Sequence, residues 1–356
     1  MAAPKRATTL LSKVGMRRYL AKRFAISLLT VFGIVVVVFF IVRVVPGDAA
    51  SLRAGPYATE ERIQYIADQY GLNDPISEQF VDYMSGFVRG DLGVSIRTNQ
   101  PVLGELLDRL PASLELALYS VLLAVLIGVP LGIVAAARQG SWLDNSARFF
   151  AVIGSSMALF WLGLLLIFFF AFGLGWFPGP VDRLAVGTAP PPTVTGFYTI
   201  DGVLSGQFAV AWEAVRYLAL PVFTLGFVLA ASILKMVRVA MIEALDSDYI
   251  RTAKAVGVPR MRMLLVDGTR NALIPVITTI GLVLGFMLGG NIIVEFLFSW
   301  PGVGRYAFDA ISTSDLESLQ GFVILVGILY VIVNIVIDVA YALADPRIRL
   351  GGSAST

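Results

Sequence analysis

Apolar and polar positions alternate on a scale of whole segments in this chain. Phe24 to Val45 is an apolar run of about the length that crosses a bilayer, and comparable runs follow at Ala112 to Ala137, Phe149 to Trp176, Ala214 to Met236, Ile274 to Val294 and Leu319 to Leu343. This predicts an all-α, polytopic membrane protein with about six transmembrane helices. Between the first two runs the pattern is amphipathic instead. Thr59 is placed to cap a helix bearing Ile63, Ile66, Ala67 and Tyr70 at i, i+3, i+4 and i+7, with Gly71 to close it. Phe80, Tyr83, Met84, Phe87 and Val88 repeat that stripe, and a third short helix with Leu103, Leu106, Leu107 and Leu110 is expected at the membrane surface, stopping at Pro111. The bland reading of residues 46–111 is a cap packed on the outer ends of the spans; the alternative is contact with a partner on that side.

The predicted organisation is a basic cytoplasmic tail at 1–23, a first span at 24–45, an extracytoplasmic cap at 46–111, a transmembrane core at 112–343 and a cytoplasmic tail at 344–356. Val45-Pro46-Gly47-Asp48 ends the first span, and the run before it is too long for the apolar region of a signal peptide. Pro130 and Pro221 are expected to kink or break the second and fourth spans. Arg138 to Arg148 reads as a short inner turn, Phe177 to Trp212 and Phe296 to Glu317 as external loops.

Charge fixes the orientation. The tail before the first span carries seven basic residues and no acidic one, and every lysine lies on one side of the predicted topology or at its boundary. By the positive-inside rule both termini are cytoplasmic.

Composition then narrows the chemistry. The 356 residues are 57% hydrophobic and 15% charged, with a net charge of +2 that gives no reason to expect nucleic acid. Without one Cys or His, the chain has no thiolate, imidazole or usual Zn, haem or Fe–S ligand. An ion-coupled carrier needs ionisable groups at mid-membrane, and a membrane-embedded enzyme needs paired groups there. Glu115, Glu295 and Asp338 lie near span ends, with Asn334 one turn from Asp338. No Gly-Lys pair exists to serve a phosphate loop, and Leu204-Ser205-Gly206-Gln207 is a chance likeness to a nucleotide-binding signature. If ATP drives this chain, another subunit binds it.

The polar stretch 237–273 is where such a subunit would dock. Asp246 or Ser247 is placed to cap a short helix from Asp248 to Val256, with Gly257 suited to a left-handed stop and Pro259 barring continuation. Tyr249, Ala253 and Val256 share a face, while Arg251 and Lys254 point elsewhere. Its competing reading is a basic loop against anionic lipid. Gly281, Gly285 and Gly289, every fourth residue of the fifth span, form a smooth strip for plain helix packing or, alternatively, for a moving gate.

Several segments, in order, resemble the first permease chain of the dipeptide, oligopeptide and nickel family of ABC importers. They are Val45-Pro46-Gly47-Asp48, Tyr70-Gly71-Leu72 with Pro75, Gly90-Asp91-Leu92-Gly93-Val94-Ser95, Asp248 to Gly257, Phe298-Ser299-Trp300-Pro301-Gly302-Val303-Gly304 and Asp345-Pro346-Arg347. Glu243-Ala244, with Gly257 downstream and Ile274-Pro275 closing the stretch, resembles the EAA motif. The family commonly has His where Thr269 precedes Arg270-Asn271-Ala272. The resemblance implies a type I permease in a bacterial inner membrane, with no cofactor of its own. Its implied partners are a second permease chain, two cytosolic ATPases holding ATP and Mg, an external binding protein, peptide cargo and lipid. It implies ATPase docking by Glu243, Ala244, Ser247, Asp248, Tyr249, Arg251, Thr252, Ala253, Val256 and Gly257. Nickel or another small solute is the alternative cargo, and an ion-coupled carrier the alternative class.

Overall fold

A computed structural model describes residues 23–41, 50–51, 58–69, 71 and 73–344. The expected stop at Val45-Pro46-Gly47-Asp48, the residues Tyr70 and Leu72, and both terminal tails lie outside the described residues. The helices are α1 (Arg23–Ile41), α2 (Glu60–Gln69), α3 (Ile76–Arg89), α4 (Val102–Ala137), α5 (Trp142–Ser156) and α6 (Leu159–Leu166, continuing as a π-helical segment, Ile167–Gly173). They continue as α7 (Tyr198–Leu204), α8 (Phe208–Asp246), α9 (Asp248–Ala255), α10 (Arg260–Arg262, then π-helical Met263–Gly268), α11 (Thr269–Gly290), α12 (Ile292–Leu297), α13 (Val303–Ser312) and α14 (Leu316–Ala344). Four of these, α1, α4, α8 and α14, are each long and apolar enough to cross a membrane. The bent pair α5–α6 makes a fifth, and α11 contributes the shorter apolar stretch Pro275–Gly285.

Contacts give the running direction of each span. Gly226 of α8 lies against Ser120 and Leu123 of α4, Gly128 against Ala230 and Ile233, and Gly132 against Leu234 and Val237. Numbers rise together, so α4 and α8 are parallel. Gly281 and Gly285 of α11 meet Ile337 and Tyr330 of α14, and Gly327 of α14 meets Ile34 of α1. Those pairs are antiparallel, as alternating spans require.

The α4–α8 pair is the spine of the core. A Cβ at Gly128 would lie 2.9 Å from the Ala230 carbonyl oxygen, and one at Gly226 3.1 Å from that of Ser120. Only glycine lets the two backbones approach so closely without hydrogen bonds between them. The main hydrophobic cluster gathers around this contact, with Leu116, Val121 and Ala124 from α4, Leu225, Ala230 and Ile233 from α8, and Met287 from α11.

Several expected helix ends are absent. Pro111 does not stop a surface helix: α4 runs through it for 36 residues. Leu106 is fully buried against the outer cluster of Val303, Tyr306 and Phe322, so tertiary packing offsets the hydrogen bond that Pro111 cannot donate, while Leu107 stays exposed. Pro221 likewise sits inside a continuous 39-residue α8. The segment from Arg138 to Arg148 is not all turn, because Ser141 accepts from the Asp144 backbone N–H and starts α5 at Trp142. The expected straight third span is instead bent by 102°. Met157 and Ala158 are extended there, which breaks the ladder between α5 and α6. The fifth span breaks at Asn291, between α11 and α12.

The first two expected cap helices form, while the third is the opening part of α4. Arg62 N–H donates to Thr59 Oγ1 at 3.4 Å at the start of α2, and Gly90 closes α3 with φ +80°. Phe80 and Tyr83 stack on Phe39 of α1, and Met84 and Phe87 join them around Val35, Val38 and Ile324. Val88 is exposed and takes no part. Ser95 Oγ donates to Asp315 at 2.6 Å, fastening the segment after α3 to the head of α14. Burial would raise the Asp315 pKa, but donors from Ser95, Ser318 and Ile96 outweigh it and hold the carboxyl below its ordinary range.

The outer loop between α6 and α8 is built around two buried carboxylates. Asp201 accepts from the backbone N–H groups of Val194, Thr195 and Gly196 and from the Thr195 hydroxyl. Burial raises its pKa, yet those donors win and leave it lowered. Glu115 of α4 pairs with Arg183 of the loop and accepts from Thr199 N–H at 3.0 Å and its hydroxyl at 2.6 Å. The Arg183 guanidinium lies 3.5 Å from the centre of the Tyr198 ring.

Two stability changes are expected. Gly128→Val forces α4 away from the Ala230 carbonyl and costs about 1–3 kcal/mol, read as a lower thermal midpoint in detergent. Arg183→Gln leaves Glu115 buried without its cation and costs about 3–5 kcal/mol, whereas adding Glu115→Gln restores most of the loss in the same assay.

Candidate functional site

The expected docking helix is α9. It follows α8 after a single extended residue, Ser247 (φ −70°, ψ 154°), so the two helices share one corner. The sequence suggested that the side chain of Asp246 or Ser247 caps α9. The structure differs: Ser247 occupies the cap position and its carbonyl accepts from Ile250 and Arg251, but its hydroxyl turns back and donates to Ala244 of α8. The side chain thus closes the preceding helix and not the following one.

The end of α9 follows the pattern of the sequence. Gly257 N–H donates to Lys254 and Val258 N–H to Ala253, with Gly257 at φ +80°. Nothing lies within 4 Å of a Cβ placed there, so the requirement for glycine is conformational and not spatial.

One side of α9 is anchored and the other is open. Ile250 is only 6% exposed; it lines a cleft of about 480 Å³ with Leu245, Met263 and Leu264, whose rim carries Lys254 and Arg260. Asp248, Tyr249, Arg251, Thr252 and Val256 are exposed, while Ala253 is half-buried. Asp248 and Arg251 lie 3.5 Å apart on the open side. Of the other candidates, Glu243 is exposed and Ala244 is buried under the corner. Tyr249 and Val256 therefore present the apolar face as expected, with Ala253 turned partly toward the core.

Sequence reasoning missed what holds this corner. Ile250 carries no signal apart from being the one large aliphatic side chain of α9, about 100° around the helix from Tyr249. Arg260 donates to the Ala137 carbonyl at 2.9 Å, tying α10 to the end of α4. Asp144 of α5 receives two hydrogen bonds from Arg238 of α8, at 2.6 and 2.9 Å, and one from Gly140 N–H at 3.0 Å. A lone acid within a basic inner segment was the available clue. Asp338, read as bonding to a neighbouring helix, forms an ion pair with Arg23 of α1 at 2.8 Å, whereas the Asn334 amide donates to Tyr330 of its own helix.

Gly281 and Gly285 pack against Ile337 and Tyr330 with no room for a side chain, while the surroundings of Gly289 lie outside the described residues. Among the described residues no cluster of three or more acidic side chains is placed to hold a metal.

Comparison with known proteins agrees with this layout. Residues 128–350 match the family described as binding-protein-dependent transport system inner membrane component, and residues 16–117 match its N-terminal companion. The chain is 44% identical over 324 residues to a probable D,D-dipeptide transport system permease protein of Escherichia coli, covering 91% of this chain and 95% of that one. It is 39% identical over 339 residues to a dipeptide transport system permease protein of Alkalihalophilus pseudofirmus, covering 94% and 100%. It is also 39% identical over 337 residues to a di/tripeptide transport system permease protein of Pseudomonas aeruginosa, covering 94% and 99%. Matches of this length and identity take in both the spanning core and the α9 corner, and the chain belongs to the family of binding-protein-dependent transport system inner membrane components.

Proposed function

We propose that this chain is a permease subunit of an ATP-driven importer for di- and oligopeptides. It works with a second permease chain, two cytosolic ATPase subunits and an external binding protein that delivers the cargo. The observation that carries the reading is a short helix, α9, open on one face and rigidly seated on the longest helix of a chain without its own phosphate loop. What supports peptide over nickel is the chemistry of the relatives, which are peptide permeases, and the lack of His or Cys along any path through this chain.

On this reading the exposed side of α9, with Asp248, Tyr249, Arg251, Thr252 and Val256, fits a cleft on the ATPase, and Glu243, Ala244, Ser247, Ala253 and Gly257 set its angle to α8. ATP binding closes the ATPase pair and displaces α9. Because α8 continues without a break, a tilt at its inner end moves its outer end about 58 Å away, at 1.5 Å per residue. Hydrolysis returns the pair to its resting arrangement, a two-state cycle in which this chain makes and breaks no covalent bond.

The cargo is tested by copurifying the assembly with its binding protein and identifying the retained ligand by mass spectrometry. Peptides are expected, and nickel or a non-peptide solute overturns the assignment. The docking face is tested by Gly257→Val, which strains the left-handed stop, and Ala253→Trp, which overfills the half-buried face. Both variants are expected to insert in the membrane and to lose binding-protein-stimulated ATP hydrolysis. Normal stimulation in both removes α9 from the interface.

A further inference from the structure

A further buried carboxyl group at the outer end of the molecule, Glu295 of α12, joins three helices. It is wholly buried, yet among the described residues it has no cation paired with it: Arg305 directs its guanidinium to the Ser299 carbonyl at 2.7 Å. Glu295 Oε1 accepts from Ser113 Oγ of α4 at 2.6 Å, and Oε2 accepts from the backbone N–H groups of Gly304 and Arg305 at 2.8 and 3.1 Å. Ser113 Oγ in turn accepts from Val303 N–H at 2.8 Å. The first three N–H groups of α13, which no helix can satisfy internally, are thus met by side chains from two other helices. Beside them Trp300 Nε1 donates to the Ala112 carbonyl at 2.9 Å.

Two features distinguish this joint from an ordinary helix cap. Every donor to the carboxyl group is neutral, and the donors come from separate elements, so this buried polar group keeps its bonds only while α4, α12 and α13 hold one relative position. A shift of one element strands it. The second feature is Asn291, at the break between α11 and α12. It is 4% exposed and its Oδ1 has no hydrogen-bond partner among the described residues. It borders a cavity of about 10 Å³, also lined by Ser113, Glu295, Val303 and Gly304, with room for about one water. The arrangement is therefore fully bonded at Glu295 and incompletely bonded one helical turn away, at the residue where the backbone is already broken.

We propose that Glu295 and Ser113 form a latch that holds the outer ends of α4, α12 and α13 in the resting arrangement and releases when the path opens outward. They are positioning residues for transport, and the proposal rests on the ATP-driven reading above. Gly304 belongs to the same joint, since a Cβ there would lie 2.9 Å from Ile292 Cα and hold the latch apart.

The test uses the assembled complex in lipid nanodiscs, with ATP hydrolysis measured per assembled complex, with and without binding protein. Glu295→Gln keeps the shape of the side chain but sets an amide NH₂ against one of the former donors. Ser113→Ala removes one donor to Glu295 and the acceptor of Val303 N–H without adding volume. Both are expected to assemble in wild-type yield and to raise hydrolysis without binding protein by about tenfold, the shift that one lost buried hydrogen bond gives. The ratio of stimulated to unstimulated hydrolysis falls correspondingly. Wild-type ratios in the variants that assemble, or failure of both to assemble, overturn the latch and leave only a structural cap. If one variant alone fails to assemble, the other decides. A wild-type complex that does not respond to binding protein counts against the transporter reading, and is seen before any variant is compared.

Discussion

A carboxylate buried in a bilayer-spanning protein has no water to turn to, so the fold must bring it its partners. In this chain that constraint decides where separate helices are pinned together. Glu115 and Glu295 at the outer end, and Asp144 at the inner end, each gather donors from elements far apart in sequence. Between those ends the helices are held by apolar packing and by glycine contacts, which fix closeness but little direction.

The continuity of α4 and α8 gives these pins their mechanical meaning. Pro111, Pro130 and Pro221 all lie inside the two helices without ending them. One long rigid pair thus reaches from the α9 corner to the outer loops. The loop between α6 and α8 is bound to α4 through Glu115, and the α12–α13 corner through Ser113, only two residues apart on the same helix. Whatever displaces α4 reaches both outer segments together.

The lipid-scale pattern was legible because it rests on segment length and charge bias, which depend on no tertiary detail. The stop of α9 at Gly257 was legible too, since a left-handed position with no spatial crowding leaves a purely local signature. Pro111 and Pro221 were misleading for the opposite reason. A proline ends a helix when water is the competing partner of the freed carbonyl, but these two lie in packed surroundings where continuing the helix buries Leu106 and Leu225. The bend at Met157 and Ala158 follows Gly154-Ser155-Ser156, where Ser155 Oγ donates to the Ala151 carbonyl at 2.6 Å, a local break signal weaker than proline. Arg183 was visible as the single basic residue of an outer loop and Glu115 as a carboxylate at a span end. Their pairing required knowing that the loop folds back, which Asp201 and its four donors bring about.

Both ends of the spine carry an ion pair, Asp144 with Arg238 at the inner end and Glu115 with Arg183 at the outer, but the α12–α13 corner is held to the outer end by neutral donors. At the inner end Asp144 meets the planar guanidinium of Arg238 with two parallel bonds, and Arg260 ties α10 to the last turn of α4. Opposite charges in bidentate contact tolerate small displacements, because attraction falls slowly with distance while the pair stays together. At the outer end Glu295 is held by neutral donors alone, whose bonds weaken steeply once distance or angle departs from the ideal. On the proposed reading, a displacement entering at α9 passes the inner end with the Asp144–Arg238 pair intact and loads the α12–α13 corner, where the proposed latch is the joint that opens. The proposed docking and the proposed latch together require this difference, a grip at the α9 corner that stays closed while the Glu295 joint opens.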